Sequence, residues 1–373
     1  MITSLRIQNF KCFENQVILF KPLTLLSGLN GTGKSSVIQS LLLLRQSYQQ
    51  GFLEKSRELA LNGDLVHLGT AQDALFEGAK ENKIGFDLSL SENVQEQWSF
   101  DYNREADILT RDMSRETGWL TNPEMYTSSL FNDNFHYLQA ERLGPRRFFE
   151  TSDYLVRGQK QLGPSGEYTA HFLSVWGEET IPNSTLAHPA AISLTLRHQV
   201  EAWLGEISPG TQINLTPNAG TDTITLQFAF MMDKVRSNWY RSTNVGFGIT
   251  YALPILVAVL SSTPGTLLLI ENPEAHLHPK GQAQMGDLLA RATNGGVQVV
   301  VETHSDHVLN GIRVAVHDGK LNPNDVQLHY FQWRKEYGQS QVSSPHIDRD
   351  GRIDKWPDGF FDEWDKNLEA LLD

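Results

Sequence analysis

The sequence predicts an α/β fold in which a parallel β-sheet carries helices on its faces, accompanied by mixed sheets. The first observation is that apolar strand-like runs alternate with helical runs between Gly246 and Val316, which is typical of parallel sheets. The second is a glycine-rich loop that lies between a predicted strand and a predicted helix near the N-terminus. No segment sustains apolar heptads over several turns, so we expect no long coiled coil.

The N-terminal segment predicts β-structure that leads into the glycine-rich loop. Residues Ile2–Gln8 alternate in polarity, and the apolar runs Val17–Phe20 and Leu23–Leu26 follow. After the loop, Ser36–Gln50 is a helical run that contains four consecutive leucines, Leu41–Leu44. This run is far too short to cross a membrane, so we expect a buried helix behind the loop.

The middle of the chain predicts an inserted lobe at about residues 80–240. There, short strand-like runs alternate with polar turns, and two helical runs, Tyr168–Trp176 and Leu194–Leu204, interrupt them. Beyond this lobe the predicted helices and strands are Gly246–Leu260, Thr266–Ile270, Gly281–Ala292, Val297–Val301 and Asp306–Val316. We expect one domain at residues 1–320, which includes the lobe, and a small C-terminal domain at 321–373.

Composition excludes several classes of protein. The single cysteine, Cys12, rules out an intramolecular disulfide framework and zinc modules built on cysteine. The N-terminus lacks the pattern of a secretory signal, and the most apolar stretch, Tyr251–Ile270, is broken by Pro254, so we expect a soluble cytoplasmic protein without a membrane contact. The formal charge is −13 at pH 7, so a contact with DNA would need a local patch or an assembled surface.

Residues Gly28–Ser35 match the pattern G-x-x-x-x-G-K-[ST]. A strand precedes the loop and a helix follows it, which is the context in which such a loop binds phosphates. The alternative is a glycine loop that arises by chance. Lys34 would reach the β- and γ-phosphates of ATP, and Ser35 would ligate Mg²⁺. The predicted nucleotide-binding residues of this segment are Asn30, Gly31, Thr32, Gly33, Lys34, Ser35 and Ser36.

Two buried strands end in polar residues. The run Thr266–Ile270 is followed by Glu271, which is placed to bind Mg²⁺ or its water shell, and then by Asn272 and Glu274. The alternative is a buried strand that simply ends at the surface. His304 follows the next strand, at an edge where doubly wound folds place ligand groups. It would sense the γ-phosphate, although a lone histidine is usually structural.

The histidines of this region also raise the possibility of a transition-metal site. The candidates are His276, His278, His304, Asp306 and His307. We disfavour the metal site, because His276 and His278 are two residues apart and would point in different directions on a helix.

Together these segments resemble the ABC-type ATPase heads of the SMC, RecF and OLD (overcoming-lysogenisation-defect) group. The similarity is greatest to small prokaryotic AAA-type ATPases that carry a short C-terminal domain of unknown function. It extends over most of the chain, in the segments LRIQNFKCF, GLNGTGKSS, YLQAERLGPRR, GPSGEYTAHFL, NVGFGITYALPILVAVL, LLLIENPEAHLHPKGQ, VVVETHSDHVLNGIRVAV and DGRIDKWPDGFFDE.

The resemblance implies that Asn244, Gly246 and Gly248 belong to a signature loop, which binds the γ-phosphate of ATP held by the other subunit. ATP would then be sandwiched in a head-to-tail homodimer or a larger homo-oligomer. The alternative is a plain helix N-terminus. The resemblance also implies that His304 is a switch histidine and that Glu274–Pro279 contains the segment that faces the partner subunit.

One departure from the group concerns the acidic pair at the strand end. The second position, usually a carboxylate that polarises the attacking water, is Asn272, which cannot accept a proton. Either Glu274 or another group acts as the base, or hydrolysis is slow. A glutamine loop is not convincing, with Gln72 as a weak candidate.

The basic segment around Arg142, Arg146 and Arg147 permits a solvated turn, a contact with nucleotide phosphate (Arg146), or a contact with DNA. We expect an ATP-hydrolysing dimeric head coupled to a nucleic-acid or nuclease partner on a separate polypeptide. By resemblance, its setting is anti-phage defence or DNA repair. The alternative is an ATP-gated scaffold or sensor with little or no hydrolysis. We expect no nuclease domain on this chain, because only about 60 residues follow Val316.

Overall fold

The computed structural model describes residues 1–112, 123–233, 235–334 and 339–372. Within these ranges the strands are, in chain order, β1 (Ser4–Phe10), β2 (Phe13–Leu19), β3 (Leu23–Gly28), β4 (Glu58–Ala60), β5 (Lys83–Ser89), β6 (Gln95–Asp101), β7 (Ile108–Thr110), β8 (Phe135–Leu138), β9 (Phe149–Glu150), β10 (Thr211–Asn218), β11 (Thr223–Met232), β12 (Val235–Arg236), β13 (Tyr240–Arg241), β14 (Leu267–Glu271), β15 (Gln298–Glu302), β16 (Val326–Arg334) and β17 (Gln339–Ser343).

The helices of the described residues are α1 (Lys34–Gln49), α2 (Ala71–Ala74), α3 (Pro123–Tyr126), α4 (Thr169–Trp176), α5 (Leu196–Ile207), α6 (Phe247–Ser261), α7 (Pro279–Asn294), α8 (Asp306–His317) and α9 (Glu363–Leu372). Between Gly246 and Val316 every predicted strand and helix is present, with ends within two residues of the prediction. The mixed α/β class predicted from the sequence is therefore confirmed.

The chain forms two compact units. The first comprises Met1–Asn132, Val326–His346 and Lys355–Asp373, and the second comprises Asp133–Asp325 and Ile347–Asp354. The predicted division into residues 1–320, with a lobe at about 80–240, and 321–373 stays a prediction. Both the lobe and the C-terminal domain include residues outside the described ranges.

The first unit contains an antiparallel sheet in the spatial order β2-β1-β5-β6. In a separate pairing, β16 lies parallel to β3 and antiparallel to β17. Five of the six residues of β3 are buried, as are the four leucines of α1, Leu41–Leu44. Burial of these apolar side chains stabilises the position of the helix that follows the glycine-rich loop.

The second unit contains a parallel array in which β14 pairs with β8 on one side and β15 on the other. The aliphatic residues of β14 and β15 are buried throughout, as expected of parallel strands covered on both faces. Helices α7 and α8 pack closely at two glycines, Gly286 and Gly311, where an added Cβ would collide with the main chain of the other helix. The β10–β11 hairpin forms a further sheet with β9, β12 and β13.

No helix among the described residues is long and apolar enough to cross a membrane. The longest of them, α1 and α7, have 16 residues each, so a long coiled coil is absent from the described part of the chain.

Candidate nucleotide-binding and catalytic residues

The glycine-rich loop connects β3 to α1, and its glycines are required by the backbone. Gly28 has φ 135°, and a Cβ there would collide with the carbonyl oxygen of Phe331. Gly33, the residue that caps α1, has φ 104°, and a Cβ would lie 2.5 Å from the Phe13 ring. Any L-residue at these positions would be both strained and obstructed. The loop can therefore bring main-chain N–H groups close to a ligand.

The Lys34 side chain lies inside this loop. Its Nζ donates hydrogen bonds to the carbonyl oxygens of Gly28 at 3.0 Å and Leu29 at 2.8 Å, and only 3% of the residue is exposed. Thr32 Oγ1 also donates to the Leu29 carbonyl at 2.6 Å, and the Ser340 hydroxyl donates to the Thr32 carbonyl. The Lys34 ammonium group is therefore held at the N-terminus of α1. Together with the helix dipole, it favours the binding of an anion there.

The other residues of this segment that were predicted to bind nucleotide differ in their exposure to solvent. Asn30, Gly31 and Ser35 are exposed, whereas Ser36 is buried and lies beside Cys12, with the Sγ 4.0 Å from its Oγ. The exposed main chain and the Ser35 hydroxyl offer donors and an oxygen ligand at the mouth of the loop.

In the second unit, Glu271 is the last residue of β14. Its Oε1 accepts a hydrogen bond from the Tyr137 hydroxyl at 2.9 Å, and its Oε2 accepts one from the main-chain N–H of Ala140 at 3.2 Å. Burial raises the pKa of Glu271, and these two bonds and nearby Arg142 oppose the increase. Burial and the Glu271 charge likewise raise the pKa of Tyr137, which keeps the phenol a donor.

Arg142 has neither of the functional roles considered from the sequence, which are a contact with nucleotide phosphate and a contact with DNA. It also does not lie in a solvated turn. The residue is 2% exposed, and its guanidinium donates to main-chain carbonyl oxygens of Glu271 at 2.5 Å and Asn272 at 2.6 Å. Burial lowers the pKa of Arg142 to about 10, so it remains charged at neutral pH. The guanidinium thus binds the protein's own main chain, while Arg146 and Arg147 of the same segment are exposed.

The loop after β14 is joined to the loop after β15. Glu274 Oε2 accepts a hydrogen bond from the Thr303 hydroxyl at 2.7 Å, and Oε1 accepts one from the His304 main-chain N–H at 2.8 Å. Asn272 has a left-handed backbone, with φ 46°, and its N–H donates to the Glu302 carbonyl at 2.8 Å. The predicted residues Glu271, Asn272, Glu274 and His304 are therefore brought together by direct contacts between two strand ends.

The predicted signature residues lie at the start of α6. Asn244 and Gly246 are exposed, and Gly246 is the residue that caps the helix. Gly248 lies against the loop after β14, because an added Cβ would be 2.6 Å from the carbonyl oxygen of His276. The preceding turn contacts the basic segment, since the Ser242 hydroxyl donates to the Arg146 carbonyl.

The histidines considered for a metal site have other contacts. His278 caps α7, with its Nδ1 accepting from the Lys280 N–H at 3.3 Å. His276 packs on Tyr251, with ring centroids 4.6 Å apart. Among the residues that the structure describes, no group of three or more His, Cys, Asp or Glu side chains is arranged to hold a metal ion.

Three families match parts of this chain. Residues 1–112 match a family described as an AAA ATPase domain. Residues 206–310 match an AAA domain family whose description links it to the AbiEii toxin of type IV toxin–antitoxin systems. Residues 321–371 match a family described as a protein of unknown function (DUF3696). The AAA ATPase domain match contains the glycine-rich loop Gly28–Ser35, and the second match contains the acidic end of β14.

A DNA replication and repair protein and two Smc heads are similar to this chain. A segment of 42 residues is 48% identical to the DNA replication and repair protein RecF of Acholeplasma laidlawii, covering 11% of this chain and 12% of that protein. An Smc head bound to the C-terminal winged-helix domain of ScpA aligns with a TM-score of 0.53 at 15% identity, covering 93% of this chain and 98% of the other. The Smc head of Pyrococcus furiosus, bound to the C-terminal domain of ScpA, aligns with a TM-score of 0.53 at 14% identity, covering 100% and 99%.

The sequence matches to AAA ATPase domains, the short match to RecF and the fold of Smc heads confirm the resemblance to ABC-type ATPase heads of the SMC and RecF kind. The resemblance to the OLD group stays a prediction.

Two residues of the candidate site escaped sequence analysis. Tyr137 holds the Glu271 carboxylate, yet it lies 134 positions away in an apolar strand and leaves no local signal. Thr303 binds Glu274, and it could have been found, because it stands in the polar run that ends β15.

Proposed function

We propose that this head binds ATP and Mg²⁺ through the phosphate loop. The residues fit the ligand, because Gly28 and Gly33 allow main-chain conformations that side chains at these two positions would obstruct, and Lys34 supplies a held cation. Ser35 and Glu271 are the proposed Mg²⁺ ligands, directly or through water, and oxygen donors are those that this ion prefers. Bound Mg²⁺ would neutralise charge on the phosphates. Arg146 is a further proposed contact of the nucleotide.

The second part of the proposal is a head-to-tail homodimer. Asn244, Gly246 and Gly248 would contact the γ-phosphate of ATP bound to the other subunit. The supporting observation is the exposed start of α6, a 15-residue helix that opens at Gly246 without an acidic residue in its first turn. Such a helix end attracts an anion through its N–H groups and its dipole.

We propose slow ATP hydrolysis as the activity of the dimer. The observation that carries it is the Glu271 carboxylate, fixed at the end of β14 by Tyr137 and Ala140. His304 would meet the γ-phosphate, and Glu274 holds its main chain. Asn272 stands where a general base would be expected and cannot take a proton, so positioning and charge stabilisation would supply most of the catalysis.

The nucleotide state would be coupled to a separate effector or nuclease protein or to DNA, in anti-phage defence or DNA repair. Support for this step comes from the relatives, since the matched Smc heads are bound to ScpA and the RecF protein is named for replication and repair.

A second function, an ATP-gated scaffold or sensor without meaningful turnover, is favoured by Asn272. The two are separated by ATP turnover measured at saturating ATP with and without DNA, with Lys34→Ala as the background control. Turnover above that control supports the ATPase, and a rise with DNA supports the coupling. ATP-dependent dimerisation without turnover above the control would establish the scaffold instead.

A further inference from the structure

Arg142 joins three separate segments of the second unit. Its Nη1 donates to the carbonyl oxygens of Gln139 at 3.0 Å and Glu271 at 2.5 Å. Its Nη2 donates to the Asn272 carbonyl at 2.6 Å, and its Nε donates to the Tyr251 carbonyl at 3.2 Å. The guanidinium therefore connects the segment after β8, the acidic end of β14 and the second turn of α6.

Only an arginine suits this position. The planar guanidinium presents its donors in a rigid fork, whereas a lysine ammonium is a single point with a shorter reach. All four acceptors are main-chain carbonyl groups, and a buried carbonyl without a donor is costly. Any change at Arg142 must therefore release at least one of the three segments.

The same region of α6 is also packed on the loop after β14. Gly248 lies against the His276 carbonyl, and the rings of Phe247 and Tyr251 lie 5.4 and 4.6 Å from the His276 ring. His276 has φ 62°, so the loop turns sharply where α6 meets it. A displacement of the start of α6 cannot be absorbed here, because packed side chains and main chain are in direct contact.

We propose that Arg142 is a positioning residue that transmits displacement of the start of α6 to the Glu271 carboxylate. The inference rests on the proposed function, in which the start of α6 binds ATP of the partner subunit while Glu271 serves the subunit's own ATP. When the start of α6 in one subunit contacts the ATP of its partner, the acidic end of β14 in the first subunit is shifted, and with it the site of that subunit's own ATP. The two sites of the dimer hydrolyse ATP with positive cooperativity.

The test is the steady-state ATP dependence of hydrolysis for the full chain and for Arg142→Lys. The wild type is expected to give a Hill coefficient above 1. In Arg142→Lys it falls to about 1, and kcat falls about 10- to 100-fold, the cost of misplacing a reacting group by a fraction of an ångström to an ångström. The dissociation constant of ATP, from a fluorescent-analogue titration, stays within about threefold, because the four carbonyl acceptors of Arg142 belong to Gln139, Tyr251, Glu271 and Asn272 and not to the loop Gly28–Ser35.

The matched control is Arg45→Lys. Arg45 is equally buried and its Nη1 donates to the carbonyl oxygens of Leu130 and Asn132, but it lies in α1. The control should lose stability in the same manner and keep the Hill coefficient. If both variants change kcat and the Hill coefficient alike, Arg142 has only a structural role and the inference is overturned.

His276→Asn tests the same link without touching the buried charge. His276 is exposed, and asparagine tolerates its positive φ while removing the ring contacts with Phe247 and Tyr251. A lower Hill coefficient in this variant supports the link even if Arg142→Lys does not fold. An unchanged coefficient in a folded His276→Asn dimer contradicts it. A wild type that neither dimerises nor closes in response to ATP overturns the proposed function itself, whereas cooperativity that survives in both variants overturns only the role of Arg142.

Discussion

The carboxylate of Glu274 accepts a hydrogen bond from the main-chain N–H of His304 at 2.8 Å, across 30 positions of sequence. Its other oxygen accepts a hydrogen bond from the Thr303 hydroxyl. Both oxygens of Glu274 are thus used to hold the loop that carries the proposed switch histidine. Glu274→Gln would turn an amide N–H₂ towards one of these donors, so we expect a displaced His304.

Lys34→Ala should abolish ATP binding. The variant removes the cation that the loop encloses, and a lost charge-assisted contact with phosphate costs at least about 1.4 kcal/mol, or tenfold in affinity. A binding titration checks this, with the exposed Lys366→Ala as the control variant. An ATP affinity of Lys34→Ala within about twofold of the wild-type value would contradict the assignment of Gly28–Ser35 as a phosphate-binding loop.

Gly248→Leu should block ATP-dependent dimerisation while leaving ATP binding to the monomer intact. Its Cβ would lie 2.6 Å from the His276 carbonyl oxygen, so the start of α6 must move. Sedimentation with and without ATP measures the assembly. The matched control is Gly205→Leu in α5, where an added Cβ meets no atom within 4 Å. If the wild type is already a dimer, cross-linking is used to measure its closure instead of its assembly. Equal ATP dependence in Gly248→Leu and Gly205→Leu would reject the assignment of Asn244, Gly246 and Gly248 to a signature loop.

Tyr137→Phe should shift the acid limb of the ATPase pH profile to higher pH. Glu271 must be ionised to hold Mg²⁺, and its pKa is already raised by burial, so the rate falls as pH drops through that raised value. The Tyr137 hydrogen bond favours the ionised carboxylate, and its loss raises the pKa further. Tyr240→Phe, at an exposed position of the same unit, should leave the profile unchanged. A shift to lower pH would contradict the role given to Glu271.

His329 should make the fold sensitive to mild acid. Its Nε2 donates to the Leu19 carbonyl and burial lowers its pKa to about 4, so the ring is neutral in the folded state. Between that value and the ordinary pKa of about 6.5, the unfolded state binds more protons, and stability is lost as pH falls. The loss is on the order of 3 kcal/mol for this single group. Urea unfolding from pH 7 to 4 measures it, and a His329→Gln variant should show a smaller decline.

A feature of the fold or of the candidate site could be predicted from the sequence where its residues are adjacent in the chain. The loop around Lys34 and the acidic end of β14 follow from runs of adjacent residues, because a strand, a glycine loop and a helix leave a contiguous pattern. The role of Arg142 could not be found this way. Its acceptors lie up to 130 positions away and are main-chain carbonyl groups, which no side-chain pattern records.

Asn272 could likewise be predicted only in part. Its identity, and hence the missing proton acceptor, was clear from the sequence, whereas its left-handed backbone and its bond to Glu302 depend on the pairing of β14 with β15. Sequence thus predicted which group is absent, and the fold determines what surrounds it.

The steady-state ATPase rate of Asn272→Glu at saturating ATP is the most direct test of the proposed catalytic arrangement. A carboxylate at this position should accept a proton from the attacking water and raise kcat, by up to roughly 10²-fold, the lower end of general-base assistance, since added negative charge near the phosphates offsets part of the gain. In parallel, His304→Ala should lower kcat while preserving ATP binding, and Glu274→Gln should lower it by displacing His304. If all three variants hydrolyse ATP at the wild-type rate, the catalytic assignment is wrong and the chain is an ATP-gated binding protein.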